Sequence, residues 1–318
     1  MYEGFFGLRE RPFDLAPNPR YLFLTRKHQE ALSTLCYGLY SGRCLTLVTG
    51  EAGTGKTTLI HTAFGARRSE HDVLVTISNP TLTRAEFIES IARGFGLSDA
   101  AARSKPAVIA ELSELAAARR TSGGVVGLIV DEAQALSDEL LEEVRLLANI
   151  ETSETKLLPL VLAGQPELAD RLNRAEFRQL KQRIELRSTI DPLDLRETAA
   201  YITVRIWVAG GNRKDVFTRE AVEAIYERSG GIPRTICVIG DNALIAGFAN
   251  QERPVRRDTV LEVCRDLDLD AALVSGMTFE RLARRERDRA GPAPAGVGPL
   301  GGDRGADREH GGSVSLTL

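Results

Sequence analysis

Gly50-Glu-Ala-Gly-Thr-Gly-Lys-Thr57 has the spacing G-x-x-x-x-G-K-[ST] of a phosphate-binding loop, or Walker A motif. Glycines let successive backbone N–H groups curl around an anion without Cβ clashes, and a helix starting behind the loop favours negative charge. The backbone of Gly50, Glu51, Ala52, Gly53, Thr54 and Gly55 is therefore expected to cradle phosphates. Lys56 would reach the β- and γ-phosphates, the Thr57 hydroxyl would ligate Mg²⁺, and Thr58 would touch the α-phosphate. A glycine-rich turn that happens to carry a lysine is the plain alternative. The loop's place between a strand pattern and a helix pattern weighs against it.

Hydrolysis asks for more than binding. Leu128-Ile-Val-Asp131-Glu132 places two acids at the end of an apolar strand pattern, as in a Walker B motif. Ligands sit at the carboxyl ends of strands in open α/β sheets. Asp131 would hold the Mg²⁺ shell, and Glu132 would polarise the attacking water as general base. A helix-capping acid pair is the structural alternative.

Further polar groups follow in chain order. Gln165 ends the next strand pattern and is placed to bond a γ-phosphate or water, or to serve as a turn residue before Pro166. Phe177-Arg-Gln-Leu-Lys-Gln-Arg-Ile184 carries arginines suited to transition-state charge. Arg183 is the first choice for a finger reaching a neighbouring subunit and Arg178 the second, against a plain basic helix face. Ser229-Gly-Gly-Ile-Pro-Arg234 closes one helix and opens another, because Pro233 suits a first helical turn. Arg234 then stands at a helix start, where it would report nucleotide state by lid closure.

These groups need a scaffold. Helical spacing over residues 27–40 precedes a strand over 44–49, and a helix over 57–66 follows the loop. Strands are expected at 73–77, 125–130, 158–163 and 184–190. Between them lie a helix capped by the Thr83–Glu86 box, one over 106–120, one capped by Ser137 and a short one from Pro166. Near-continuous apolar strands alternating with helices predict an α/β parallel sheet covered on both faces. Beyond Pro192 only helix patterns remain: 193–208, 218–229, 233–249 and 258–267. The chain therefore divides into an aromatic and Pro-rich arm (1–26), a P-loop domain (27–191), a helical lid (192–270), an Arg-rich stretch (271–289) and a Gly/Pro-rich tail (290–318) expected to be disordered. The arm is expected to pack its aromatics on the first domain. Phe13, Tyr21 and Phe23 are candidates for touching a base or for packing alone.

Composition bounds the reading. The chain has 318 residues, enough for about two domains, with 43% hydrophobic and 27% charged residues. Formal net charge is −3, which lacks the basic excess of a protein held to nucleic acid by its overall field. Cys36, Cys44, Cys237 and Cys264 are too far apart for a metal knuckle or redox pair and read as buried free thiols. No apolar run approaches the ~18 residues of a membrane span. A cytoplasmic location follows as the expectation, with any membrane role peripheral.

The phosphate loop, Asp131-Glu-Ala-Gln134, Gly164-Gln-Pro-Glu-Leu168, the arginines near Arg183 and Gly230-Gly-Ile-Pro-Arg234 together resemble an AAA+ ATPase. The opening, Phe5-Phe-Gly-Leu-Arg-Glu-Arg-Pro-Phe13, then Pro17-Asn-Pro-Arg-Tyr-Leu-Phe23 and His28-Gln-Glu-Ala-Leu32, resembles the general secretion pathway protein A family. The resemblance covers about residues 2–268. It implies an AAA+ core with a helical lid, ATP and Mg²⁺ as cofactors, and a homo-oligomer, with a hexamer among the sizes to expect. It further implies support for an envelope system, either type II secretion or an exopolysaccharide or exosortase-linked one. The tail carries no spanning segment, so another protein would bring the chain to the inner face of the membrane. ATP over GTP also rests on the absence of an Asn-Lys-x-Asp run after the sheet. A DNA-dependent regulator of transposition shares the same motifs and is the alternative; a nucleotide-dependent switch with negligible turnover is the second.

Overall fold

The computed structural model describes residues 1–16, 18–41, 45–65, 69–78, 81–151 and 156–269. Pro17, Cys44, the Arg-rich stretch and the Gly/Pro-rich tail lie outside the described residues.

Helix α1 spans Tyr2–Phe6, and α2 spans Arg26–Tyr40 behind the N-cap Thr25. Strand β1 (Leu45–Gly50) leads through the phosphate loop into α3 (Lys56–Gly65). Strand β2 (Val73–Ile77) is followed by α4 (Arg84–Gly94), whose Thr83–Glu86 capping box is formed, and by α5 (Lys105–Thr121). Strand β3 (Val126–Val130) precedes α6 (Asp138–Leu147), capped by the Ser137 side chain. Strand β4 (Leu160–Gly164) runs into α7 (Pro166–Leu172), and α8 (Arg178–Arg183) into β5 (Ile184–Ile190). Among the described residues, the helices α9 (Leu195–Val208), α10 (Arg219–Ser229), α11 (Pro233–Ala249) and α12 (Arg257–Asp266) follow.

The five strands of the described residues form one parallel sheet, in the order β2-β3-β4-β1-β5. The central strands β1, β3 and β4 are buried throughout, and this is why they read as near-continuous apolar runs without charges. The edge strand β5 alternates between half-buried and exposed positions, which explains its weaker signal in the sequence. Side chains leave the sheet on alternating sides. Leu45, Leu47, Leu128, Val130, Leu160 and Leu162 join the core under α4 to α8, while Val48, Ile129, Val161 and Ala163 meet α2 and α3.

The helical region has its own core, and the N-terminal arm belongs to it. Tyr2, Phe6, Leu8 and Phe13 are buried with Ile202, Ile206, Phe217, Ile225 and Ile239. This corrects the expectation that the arm packs on the first domain. The helices alone leave apolar surface that the arm's aromatics cover. Arg205, 8% exposed, locks the arm down: its guanidinium donates to the carbonyls of Pro12 and Asp14 and to the Tyr201 hydroxyl, and it lies over the Tyr21 ring at 4.7 Å. Phe13 meets Phe217, and Phe23 meets Tyr201, edge to face, so these aromatics pack in the helical core. Among the cysteines, Cys237 and Cys264 are buried, while Cys36 is only half-buried. Among the described residues, no helix is long and apolar enough to cross a membrane.

Candidate nucleotide site

The strand order decides which groups meet. Strand β4 lies between β1 and β3, so its carboxyl end separates the phosphate loop from the Asp131-Glu132 pair. Because the strands are parallel, Gly50, Asp131 and Gln165 all emerge at one end of the sheet, along its carboxyl edge.

The loop turns on glycines with positive φ, +79° at Gly53 and +96° at Gly55, a region that L side chains avoid. Lys56 opens α3 and is buried, with Nζ donating to the carbonyls of Gly50 (2.9 Å) and Glu51 (3.1 Å). Burial pushes the Lys56 ammonium's pKa down, and the nearby Glu132, Asp131 and Glu51 oppose that shift. The Thr54 hydroxyl donates to Glu51 O at 2.8 Å, fixing the inside of the turn. Ala52, Thr57 and Thr58 are exposed.

Thr57 Oγ1 donates to Asp131 Oδ2 at 2.5 Å. This contact joins the first helical turn after β1 to the end of β3, two strands away. A hydroxyl and a carboxylate at one point are hard oxygen donors of the kind Mg²⁺ takes, usually completed by water and phosphate oxygens. The residues present therefore fit that ion. Glu132 stands beside them in the left-handed region, φ 51° and ψ 35°, unusual for a non-glycine residue and costing on the order of 1–3 kcal/mol. Gln165 begins at the end of β4 as the N-cap of α7, half-buried, with no capping bond from its side chain.

The helical domain reaches the loop directly. The Arg234 backbone N–H donates to Gly53 O at 3.3 Å. A Cβ at Gly53 would meet Arg234 Cβ at 2.8 Å. Arg234 is the second residue of α11 and is exposed. The same motif holds the interdomain linker, since Leu193 N–H donates to Gly231 O at 2.9 Å.

The family model described as "AAA domain" matches residues 39–172. General secretion pathway protein A of Aeromonas hydrophila is 41% identical over 285 residues, covering 88% of this chain and 50% of its own length. The chain belongs to the general secretion pathway protein A family of AAA+ ATPases. It spans about half the length of that relative. The ATP-dependent target DNA activator B of Escherichia phage Mu is 30% identical over 232 residues, 71% of this chain and 67% of that protein. Among solved structures, Cdc6p from Pyrobaculum aerophilum matches with a TM-score of 0.59 at 16% identity, covering 80% of this chain and 70% of that one. That likeness is one of fold.

Within this AAA+ fold, Lys56, Thr57, Asp131 and the backbone of Arg234 meet at the loop, with Glu132 and Gln165 at the neighbouring strand ends. Arg183 does not. It precedes β5, whose first residue pairs with Leu45 and whose last pairs with Gly50. One strand length, about 20 Å at ~3.3 Å per residue, separates it from its own loop. Arg178, exposed at the start of α8, precedes the same end of the strand. Among the described residues, no hydrogen bond or ion pair joins either arginine to the loop.

Two further residues touch the site without having been assigned a role in the sequence. His28 is buried, Nδ1 lies 2.7 Å from Thr25 Oγ1 and Nε2 lies 3.4 Å from Thr54 O of the loop. Its signal was a Thr-x-x-His spacing at a helix cap. Gln134 bridges Glu132 and Gln165. Its signal was its place two residues after the acid pair.

Proposed function

We propose that the chain binds Mg²⁺-ATP in this site and hydrolyses it, and that turnover drives or regulates assembly of an envelope secretion system. The Thr57–Asp131 contact, with Glu132 next in the chain, carries the reading, because it joins the elements that hydrolysis needs. The loop backbone and Lys56 bind and orient the phosphates. Thr57 and Asp131 hold Mg²⁺, which when bound neutralises charge on the β- and γ-phosphates. Glu132 takes the proton of the attacking water, and Gln165 orients that water or the γ-phosphate. Arg234 brings the helical domain onto the loop when nucleotide is present. Arg183, with Arg178 as second choice, acts on a neighbouring subunit's nucleotide in a homo-oligomer, since its own loop lies at the far end of β5. A partner protein brings the chain to the membrane.

The secretion relative supports this pathway by higher identity over more of the chain than the phage relative. The phage protein's name supports a second reading, a DNA-dependent regulator of transposition. The test is the ATP hydrolysis rate across protein concentration, with and without double-stranded DNA at low salt, using Lys56→Ala as the blank. A rate that climbs with concentration and ignores DNA supports the self-assembling secretion ATPase. A rate that rises only with DNA overturns it in favour of the second reading.

A further inference from the structure

Gln134 sits in the turn between β3 and α6, outside the phosphate loop and the acid pair. We propose that Gln134 is a positioning residue for hydrolysis: its side-chain amide anchors one oxygen of the Glu132 carboxylate and ties it to the Gln165 backbone at the end of β4. The inference rests on the reading of Glu132 as the general base.

Gln134 Nε2 donates to Glu132 Oε2 at 2.6 Å, and Gln134 Oε1 accepts from Gln165 N–H at 3.0 Å. Both partners fix the orientation of the amide. An ionised carboxylate only accepts and a backbone N–H only donates, so the amide nitrogen must face the acid and the oxygen must face the strand end. A group offering one donor and one acceptor in a single plane answers that demand. A carboxylate in its place would leave one bond unmade, and a hydrocarbon both.

The surroundings are shaped for this bridge. A Cβ at Gly164 would lie 2.8 Å from Gln134 Oε1 and 3.3 Å from Gln134 N, so β4 ends in glycine where the amide crosses it. From outside, Arg171 donates to the carbonyls of Gln134 (3.3 Å) and Leu136 (2.5 Å), pairs with Asp138, and lies over the Phe177 ring. Glu132 itself holds left-handed backbone angles, which persist only where neighbours over-determine them. The amide bridge and the bond from Glu132 N–H to Asp131 Oδ1 (2.9 Å) do so here.

The anchored pose is the productive one. Glu132 follows Asp131, whose carboxylate accepts from Thr57 of the helix behind the phosphate loop, so the acid stands at the strand end beside that loop. One oxygen is held by Gln134, and the other takes no hydrogen bond among the described residues, leaving it to accept a water proton. Losing the anchor frees the carboxylate to rotate and slows the chemical step. ATP binding, which the loop carries, is untouched.

The test is Gln134→Met, which keeps length and bulk and removes both bonds. Turnover and ATP affinity are measured at a protein concentration where the wild-type rate per chain has levelled off. A general base contributes on the order of 10²–10⁴-fold, and misplacing it is expected to lower kcat about tenfold or more, with the ATP Kd within threefold of wild type. Glu132→Gln combined with Gln134→Met should turn over no more slowly than Glu132→Gln alone. If Gln134→Met fails to fold, Gln134→Leu serves instead: it also removes both bonds without adding a charge beside Glu132, and the same fall in kcat is expected. Turnover within twofold of wild type, faster turnover, or a loss of affinity matching the loss of rate would overturn the inference while leaving the Glu132 reading intact. Wild-type protein that binds ATP without any turnover would overturn the parent reading and this inference with it.

Discussion

Alanine at Gly53 would place a methyl group 2.8 Å from Arg234 Cβ and 3.1 Å from Ile232 Cγ2, where the start of α11 rests on the phosphate loop. It would also have to hold φ near +79°. The backbone cost is about 1–2 kcal/mol for an L residue. Overpacking against a helix start adds about 1–3 kcal/mol. Gly55 separates the two costs. Its φ is +96°, and a Cβ there would meet nothing within 4 Å. Without nucleotide, Gly55→Ala therefore carries the backbone cost alone. The difference between the variants, about 1–3 kcal/mol, falls on the contact between loop and helical domain. Urea unfolding of the nucleotide-free variants should therefore show Gly53→Ala less stable than Gly55→Ala by about that amount. Equal stabilities in the two variants would refute the reasoning, because the start of α11 would then not press on the loop.

Other expectations follow from the same geometry. Arg205→Met removes the donors to Pro12 O, Asp14 O and the Tyr201 hydroxyl; with charge-assisted bonds at ~1.5–3 kcal/mol each, urea unfolding should show a loss of about 3 kcal/mol or more, and a loss under about 1 kcal/mol would remove the arm from the helical core's stability. Burial lowers the His28 pKa against the Thr54 carbonyl and, more weakly, the charge of Glu197, so the folded state binds fewer protons than the unfolded one. The stabilisation from neutral His28 is present above the ordinary imidazole value of about 6.5 and declines as pH falls below it. His28→Gln should flatten that part of the stability profile, and an unchanged slope would place its origin elsewhere. Arg183→Ala should lose turnover and regain it when mixed with Glu132→Gln protein, because each variant supplies what the other lacks across an interface. Mixtures that stay inactive would return Arg183 to a structural role.

Motifs with local physics were legible in the sequence. The phosphate loop, the acid pair and the Thr83 and Ser137 caps depend on spacing alone, and the structure places each where spacing demands. Strands β1, β3 and β4 were legible because burial on both faces leaves no charged positions. What escaped depends on contacts far apart in sequence. Nothing near Phe6 or Phe13 says that they fill the helical core, because their partners begin near residue 193. Arg205 reads as an ordinary helix arginine until the Pro12 and Asp14 carbonyls arrive beneath it. Gln134 became interpretable only once β4 was seen between β1 and β3, which puts Gln165 beside Glu132. Arg183 shows the reverse: the sequence put it after the sensing strand, and only the β1–β5 register shows that its own loop is out of reach.

The central claim, that this site hydrolyses the ATP it binds, is tested most directly by comparing Glu132→Gln with wild type in one experiment that follows both Mg²⁺-ATP binding and phosphate release. The account predicts that the variant binds ATP as tightly as wild type and releases phosphate at least a hundredfold more slowly, about the contribution of a general base. Phosphate release at the wild-type rate from the variant would contradict it.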